Sequence, residues 1–447
     1  MLSRCAWICK VFKSSDHLRD SNNGVIMFST NVFIYKGIRL RAYPSRVQVA
    51  QMDAWQAPLR FLWNLANEQR LLGLAHAKDD KRYFSAFDQM KDLKELRADL
   101  PWLANVPRDI CNELLVDLDK AWRACFNKTA GKPKFKSKSR DVLNFRSPNP
   151  KSFWLRDGLL HFPKLNTMRV VQHRPLEGKP KSCILLRDGD QWFVSVLCEV
   201  EIPDPPVRLT PVVALDRGVV NTVADSDGNL VVNPKHYQQS VHRLVRAQRN
   251  AARKKKGSRN KAKAQLRVMR IHRTIRRQRE HFLHQISSRY SKSHAIIVME
   301  KLQIKNMVRS ASGSITEPST NVAQKRGLNR SIAGAGWGKL AEQCKYKTAW
   351  LGGQVVEVPA AYSSQTCASC GHVDSKSRVT QARFECTACG ACEHADTNAA
   401  IVLLQRFHAR GNPSVQLGEA SSLDSPRPKK RRYSMKRSKV EHPISAS

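Results

Sequence analysis

The chain has 447 residues, with 77 Lys and Arg against 37 Asp and Glu, for a formal net charge of +40. That length exceeds the ~250–300 residues at which one hydrophobic core stops growing, so about two to four domains are expected. A one-sign surplus this large excludes a chain whose charge serves solubility alone; spread along the whole sequence, it points to nucleic acid as the partner and away from a membrane surface.

Every apolar stretch is interrupted short of the ~20 residues needed to span a bilayer, and no basic start leads into a clean signal-peptide core. The expectation is a soluble cytoplasmic protein with no membrane partner. Twelve cysteines, four of them in metal spacing and the rest scattered, read as reduced thiols.

Residues 1–28 show no sustained period, and Met27, followed at once by the extended pattern NVFIYKGIRLRAYPS, is a candidate start. From Val47 the period becomes helical: Val49, Met52, Trp55, Leu59, Leu62, Trp63 and Ala66 share a face, with Pro58 expected to kink or break it. A second stripe, Ile110 to Phe126, extends the helical region to about residue 130, its Trp and Phe read as core. The basic segment KPKFKSKSR reads as an unpatterned linker in which Lys134 and Lys136 are candidate phosphate contacts and Phe135 a candidate stacking residue. Two hairpins follow, Phe153 to Phe162 over Asp157-Gly158 and Cys183 to Val200 over Asp188-Gly189-Asp190. Together with the strand at 29–46 they predict a small β-barrel, completed by 131–209, into which the helices of 47–130 are inserted.

After a Pro-rich seam near residue 210, Val212 to Leu215 is a strand ending in Asp216-Arg217-Gly218, and it returns as Val219 to Ala224. Residues 235–290 are helical and heavily basic, turning at ARKKKGSRNK. A charge run is ordinarily a solvated face, but this density of one sign repels itself without an anion. Arg253, Lys254, Lys255 and Lys256 are therefore candidate phosphate contacts. Ala295 to Met299 is the next strand and delivers Glu300; Gln354 to Val358 leads into a cysteine-rich segment, and 409–447 reads as a disordered basic tail.

In that segment Cys367 and Cys370 are separated from Cys386 and Cys389 by 15 residues, each knuckle opening onto Gly. Two such turns supply four thiolates to one structural Zn²⁺, while Cys392, His372 and His394 stand as competing ligands. Just beyond, Asp396 opens an apolar helix; alone it is an ordinary N-cap. Asp216 and Glu300 each end a continuous apolar run of the buried-strand kind, so their carboxylates leave a sheet at its end. Three acids from distant parts of the chain can converge on a pair of Mg²⁺ ions, the hard-oxygen arrangement that hydrolyses phosphodiesters.

The order VVALDRG, IIVMEKL, LNRSIAGAGWGKL, SSQTCASCG, FECTACG, ADTNAA resembles the TnpB-type proteins of insertion-sequence transposons, compact relatives of type V CRISPR effectors, most strongly over residues 210–408. The resemblance implies a multidomain α+β chain: a RuvC-like, RNase H-fold nuclease core over 210–362, a zinc ribbon at 363–395 and a last core helix at 396–408. It further implies that 29–46 and 131–209 form a wedge barrel carrying a helical recognition domain. The implied catalytic triad is Asp216, Glu300 and Asp396. The implied activity is Mg²⁺-dependent cleavage of DNA directed by a guide RNA, next to a short motif, with the protein nucleoid-associated when on DNA. A DNA-binding regulator without cleavage and a compact CRISPR-array-guided effector are the alternatives. One departure stands out: Arg217 occupies a position where such proteins commonly carry an apolar residue.

Overall fold

The computed structural model describes residues 12–13, 31–75, 83–311 and 320–410. The expectations for Met27 and for the tail beyond 410 lie outside them.

A two-residue strand β1 (Phe12–Lys13) pairs with the long β2 (Asn31–Tyr43). Four helices follow, α1 (Arg46–Ala75), α2 (Ala86–Asp99), α3 (Pro101–Ala104) and α4 (Arg108–Phe126). Pro58 lies inside α1 without ending it. The missing N–H costs one helical bond, but Trp55, Pro58, Leu59 and Leu62 are all buried on one face, and that packing holds the helix together. Arg70, fully buried, ties the helices by donating to Gln89 Oε1 at 2.7 and 2.9 Å, Tyr83 Oη at 3.0 Å and Asp119 Oδ1 at 3.2 Å.

The segment after α4 is less free than its composition implied. It lies along α1, where Trp63 Nε1 donates to the Lys134 carbonyl at 3.1 Å, and Asn64 accepts from Lys136 N at 2.7 Å while donating to its carbonyl at 3.1 Å. Strands β3 (Phe145–Ser147), β4 (Trp154–Arg156), β5 (Leu159–Phe162), β6 (Asn166–Val171), β7 (Lys179–Asp188) and β8 (Gln191–Pro203) then complete an antiparallel sheet in the order β3-β7-β8-β2-β6-β5-β4. Both expected hairpins are present, as β4–β5 and β7–β8. Among the described residues β3 and β4 do not pair, so the ladder is an open path and not a closed barrel. One core unites α1 and α4 with the inward residues of this sheet, among them Leu40, Phe145, Leu160, Leu185 and Val196.

The second half begins with β9 (Val212–Asp216), β10 (Asn221–Asp225) and β11 (Leu230–Val232), then the basic helices α5 (His236–Ala252) and α6 (Arg259–Ser293). Strand β12 (Ile296–Glu300), helices α7 (Ile304–Met307), α8 (Val322–Ala335) and α9 (Trp337–Ala349), and β13 (Gln354–Val358) come next. The sheet order is β11-β10-β9-β12-β13, antiparallel on the β9–β10–β11 side and parallel from β9 through β12 to β13. Because β9 and β12 are central, both faces must be covered, which is why VVAL and IIVM read as unbroken apolar runs. Val213, Leu215, Ile297 and Met299 face Leu283 and Ile286 of α6 and Leu340 of α9; Ala214, Ile296 and Val298 face the last helix, α10 (Ala395–Ala409), through Leu403 and Phe407. Between β13 and α10 the short β14 (Arg383–Glu385) and β15 (Cys392–His394) pair in a small sheet of their own. Among the described residues no helix is long and apolar enough to cross a membrane.

Candidate active site and metal centre

The parallel register sets Met299 opposite Leu215, so the next residue of each strand, Glu300 and Asp216, leaves the sheet at the same edge. Helix α10 packs on this sheet and presents Asp396 to that edge from its second position. The N-cap is His394, whose Nδ1 accepts from Asp396 N at 3.3 Å, so the acid is not the cap that its place in the sequence implied. Glu300 and Asp396 are each 7% exposed.

Burial, with Glu300 and Asp396 close by, pushes the Asp216 carboxyl up to about 8, against partial relief from Arg378 and Arg217. Burial likewise raises Glu300, opposed by Arg217. Carboxylates folded into one another's field without enough counter-charge are a cation's natural place, since removing a charge from water is costly unless it is paired. The donor set, three hard carboxylates, fits Mg²⁺. The three are less tightly gathered than the cysteines below: among the described residues only those four bring all their ligand atoms within 4.8 Å of one another.

Three further residues border the acids: Arg217, marked in the sequence only as a departure from the motif, and Asn221 and Arg378, which no motif marks. Asn221 Nδ2 donates to Asp396 Oδ2 at 3.0 Å. Arg378, from the cysteine-rich segment, reaches Asp396 Oδ1 at 3.0 Å. Arg217, 5% exposed, donates to the Glu300 and Trp337 carbonyls and lies 3.9 Å from Glu300 Oε1. Its charge at a position expected to be apolar thus offsets part of the cost of burying Glu300. Gly218 is required by proximity: a Cβ there would lie 2.6 Å from the Asn221 carbonyl and 3.8 Å from Asp396 Oδ2.

The cysteines behave as their spacing predicts. Cys367 and Cys389 Sγ are 3.7 Å apart and Cys370 and Cys386 Sγ 3.5 Å, close to the ~3.8 Å edge of a tetrahedron of thiolates around Zn²⁺ at ~2.3 Å. His394 serves as a helix cap, and neither it nor His372 nor Cys392 joins the cluster. Asn398 stitches the cluster to α10, accepting from Ala368 N at 2.9 Å and donating to the Thr366 carbonyl at 2.7 Å.

Arg253, Lys254, Lys255 and Lys256 are all exposed between α5 and α6. Farther along α6 the charge is spent internally, where Arg270 and Arg273 meet Asp190 at 2.7 and 2.9 Å and Arg276 meets Asp188. Lys134 is exposed, whereas Lys136 holds its ammonium over the Trp63 ring at 4.6 Å and 3.7 Å from Asp141.

A family model described as a probable transposase, OrfB_IS605, matches residues 195–311, and a Cas12f1-like TNB domain matches 337–403. The chain is 34% identical over 380 residues, 83% of this chain and 93% of the relative, to the putative RNA-guided DNA endonuclease InsQ of Escherichia coli (strain K12). It is 29% identical to a putative RNA-guided DNA endonuclease of Streptomyces pristinaespiralis over 82% of this chain and 88% of the relative. A cryo-EM structure of the Cas12f1–sgRNA–target DNA complex aligns over 83% of this chain and 98% of that one, at 12% identity and a TM-score of 0.47. With its motifs, its paired cysteine knuckles and this extent of shared sequence, the chain belongs to the TnpB-type, OrfB_IS605 family.

Proposed function

We propose that this protein is a transposon-encoded, RNA-guided DNA endonuclease. The observation that carries the reading is the convergence of Asp216, Glu300 and Asp396, from two strand ends and a helix start, at one buried edge in a chain of net charge +40. The mixed sheet β11-β10-β9-β12-β13, covered by α6 and α9 on one face and α10 on the other, supports a RuvC-like, RNase H-type core over 210–362 and 396–408. The four-thiolate cluster supports a zinc ribbon over 363–395. The antiparallel sheet with its inserted helices suits a wedge and recognition half over 29–209.

In this reading Asp216, Glu300 and Asp396 would hold two Mg²⁺ ions, whose chemistry when bound would be activation of a water and stabilisation of the leaving oxygen of the phosphodiester. The protein's own groups prepare that place. Asn221 fixes the rotamer of Asp396, Arg217 offsets Glu300, and Gly218 lets the chain pass close beneath them. Arg378 holds the outer oxygen of Asp396 and links its position to the zinc segment. Guide RNA and displaced DNA are held largely by phosphate contacts, which the exposed Arg253–Lys256 turn offers, while base pairing supplies sequence choice.

The test is to express the chain with its flanking DNA, sequence the RNA that copurifies, and ask whether that RNA directs cutting of a matching duplex in Mg²⁺. A discrete RNA that redirects cutting when its end is reprogrammed is expected. Binding of guide and target with no cutting at any Mg²⁺ concentration would instead make the protein a guided DNA-binding regulator.

A further inference from the structure

A cavity of about 200 Å³ opens between β10, α5, α6 and α8. Its wall includes Thr222, Lys235, His236, Arg279, Arg330 and Gly334, and no acid lines it. Lys235 and Arg330 are exposed and Arg279 half-buried, so the space is bordered by three cations and no carboxylate, a field that favours an anion. The N-terminus of α5 opens here too. Its N-cap Lys235 makes no side-chain cap, so the first-turn N–H groups add to a positive field.

A second, independent observation points to a ligand. Thr222 is 1% exposed, and its Oγ1 has no hydrogen-bond partner; both ring nitrogens of His236 are also buried without one. Leaving such atoms unpaired costs on the order of 1–3 kcal/mol each, which a hydrogen-bonding group seated in the cavity recovers. Arg279 is steadied by a 3.0 Å bond to the Ala333 carbonyl, and Arg330 by the Tyr237 ring 5.9 Å away, so both are placed before any ligand arrives.

The geometry points to a phosphate-binding subsite for the DNA strand being cut, seated in this cavity. The inference rests on the nuclease reading, because its commitment to the cut strand comes from position. Thr222 follows Asn221 in β10, and Asn221 holds Asp396, so the cavity lies across that strand from the carboxylate, while Val219 in the wall follows Gly218. A backbone phosphate held here would anchor the strand on the opposite face of β10 from Asp396, supplying orientation that the metal ligands alone do not.

The test uses the full chain with its guide, in Ca²⁺ to permit binding, and a labelled DNA single strand carrying one uncharged methylphosphonate linkage moved stepwise through the strand. Three variants are compared: Thr222→Val, which keeps shape but loses the hydroxyl; Arg330→Gln; and Gly334→Met. The last places a bulky side chain at the cavity wall, where a Cβ at Gly334 meets nothing within 4 Å. In wild type, one linkage position should weaken binding ~10-fold, with Thr222→Val costing ~3-fold and Arg330→Gln ~10-fold. In Arg330→Gln and Gly334→Met, that position should cost nothing further. Equal penalties in wild type and Gly334→Met, or no sensitive position at all, would overturn the subsite. Variants that lose guide-RNA affinity while keeping the DNA pattern would overturn it in favour of an RNA contact. Cutting is read separately in Mg²⁺: a wild type that shows the sensitive position but never cuts defeats the nuclease reading and leaves the subsite standing.

Discussion

At the level of single residues, the informative acid is Asp216. Its folded-state carboxyl is raised by burial and by its acidic neighbours, so the folded chain holds that proton more tightly than the unfolded chain does. The sign follows from linkage: without metal, this group's contribution is most favourable at low pH and is lost as pH climbs from the ordinary carboxylate value towards about 8. Asp216→Asn should therefore flatten the fall in melting temperature of EDTA-treated protein between pH 6 and pH 8, and stabilise it at pH 8 by about 1–3 kcal/mol. The same slope in both proteins would remove the claim that these carboxylates are uncompensated. Asp225, a nearby acid outside the proposed triad, is a poor neutral control. It is 1% exposed and accepts from Tyr290 Oη at 2.8 Å and from Asn229, so its loss should unfold rather than inactivate. Asp227 and Glu357 serve better. Asp216 and Glu300 stood out as candidates because a carboxylate ending an apolar run leaves the sheet at its end, and Asp396 only through the motif that follows the cysteines. Arg378 did not: it sits in a polar loop, and only the fold of the cysteine segment turns it towards Asp396.

At the level of elements, the cysteine segment and α10 act as one unit. Asn398 makes two bonds to the first knuckle, Gln405 Nε2 donates to the Ala368 carbonyl at 2.6 Å, and Arg378 comes back to Asp396. Metal analysis of the purified protein should find one zinc per chain. Replacing Cys386 by Ser should release it and loosen 363–395, since the thiolates supply folding free energy to a segment with a small core of its own. Asn398→Ala, which keeps every thiolate, should cost about 1–3 kcal/mol and speed zinc loss to a chelator. Zinc retention identical to wild type would show that the two elements are independent. Spacing in the sequence predicted the thiolates but not this coupling, because a lone Asn at a helix start reads as an ordinary capping residue. Pro58 erred the other way. A local rule predicted a kink or a break, and the burial of α1 on one side carries the helix through Pro58 without a break.

At the level of the whole molecule, the net charge is divided between two uses. Along α6, Arg270, Arg273 and Arg276 join the second half of the chain to the β7–β8 turn through Asp188 and Asp190. Arg253, Lys254, Lys255 and Lys256 have no such role and face solvent. Neutralising those four should leave the melting temperature almost unchanged and reduce the salt dependence of nucleic-acid binding by about one unit for each cation that meets a phosphate. Arg273→Ala, by contrast, should cost about 1–3 kcal/mol of stability, discounted for the partial exposure of Asp190. An unchanged salt slope in the first variant would return the turn to a solvated face. Composition revealed the total charge and its polyanion partner, but which arginines are spent inside the protein depends on the docking of α6 against a distant hairpin.

The central claim is that Asp216, Glu300 and Asp396 together carry the chemistry while the rest of the chain carries binding. It is tested most directly by measuring guided cleavage of a labelled duplex in Mg²⁺ beside binding of the same guide and target, for each single Ala variant and one double. Each single variant should lose cutting while binding guide and target like wild type, and the double should be little worse than a single, since removing one ligand already dismantles the metal pair. An Asp216→Ala protein that cuts like wild type would contradict the account.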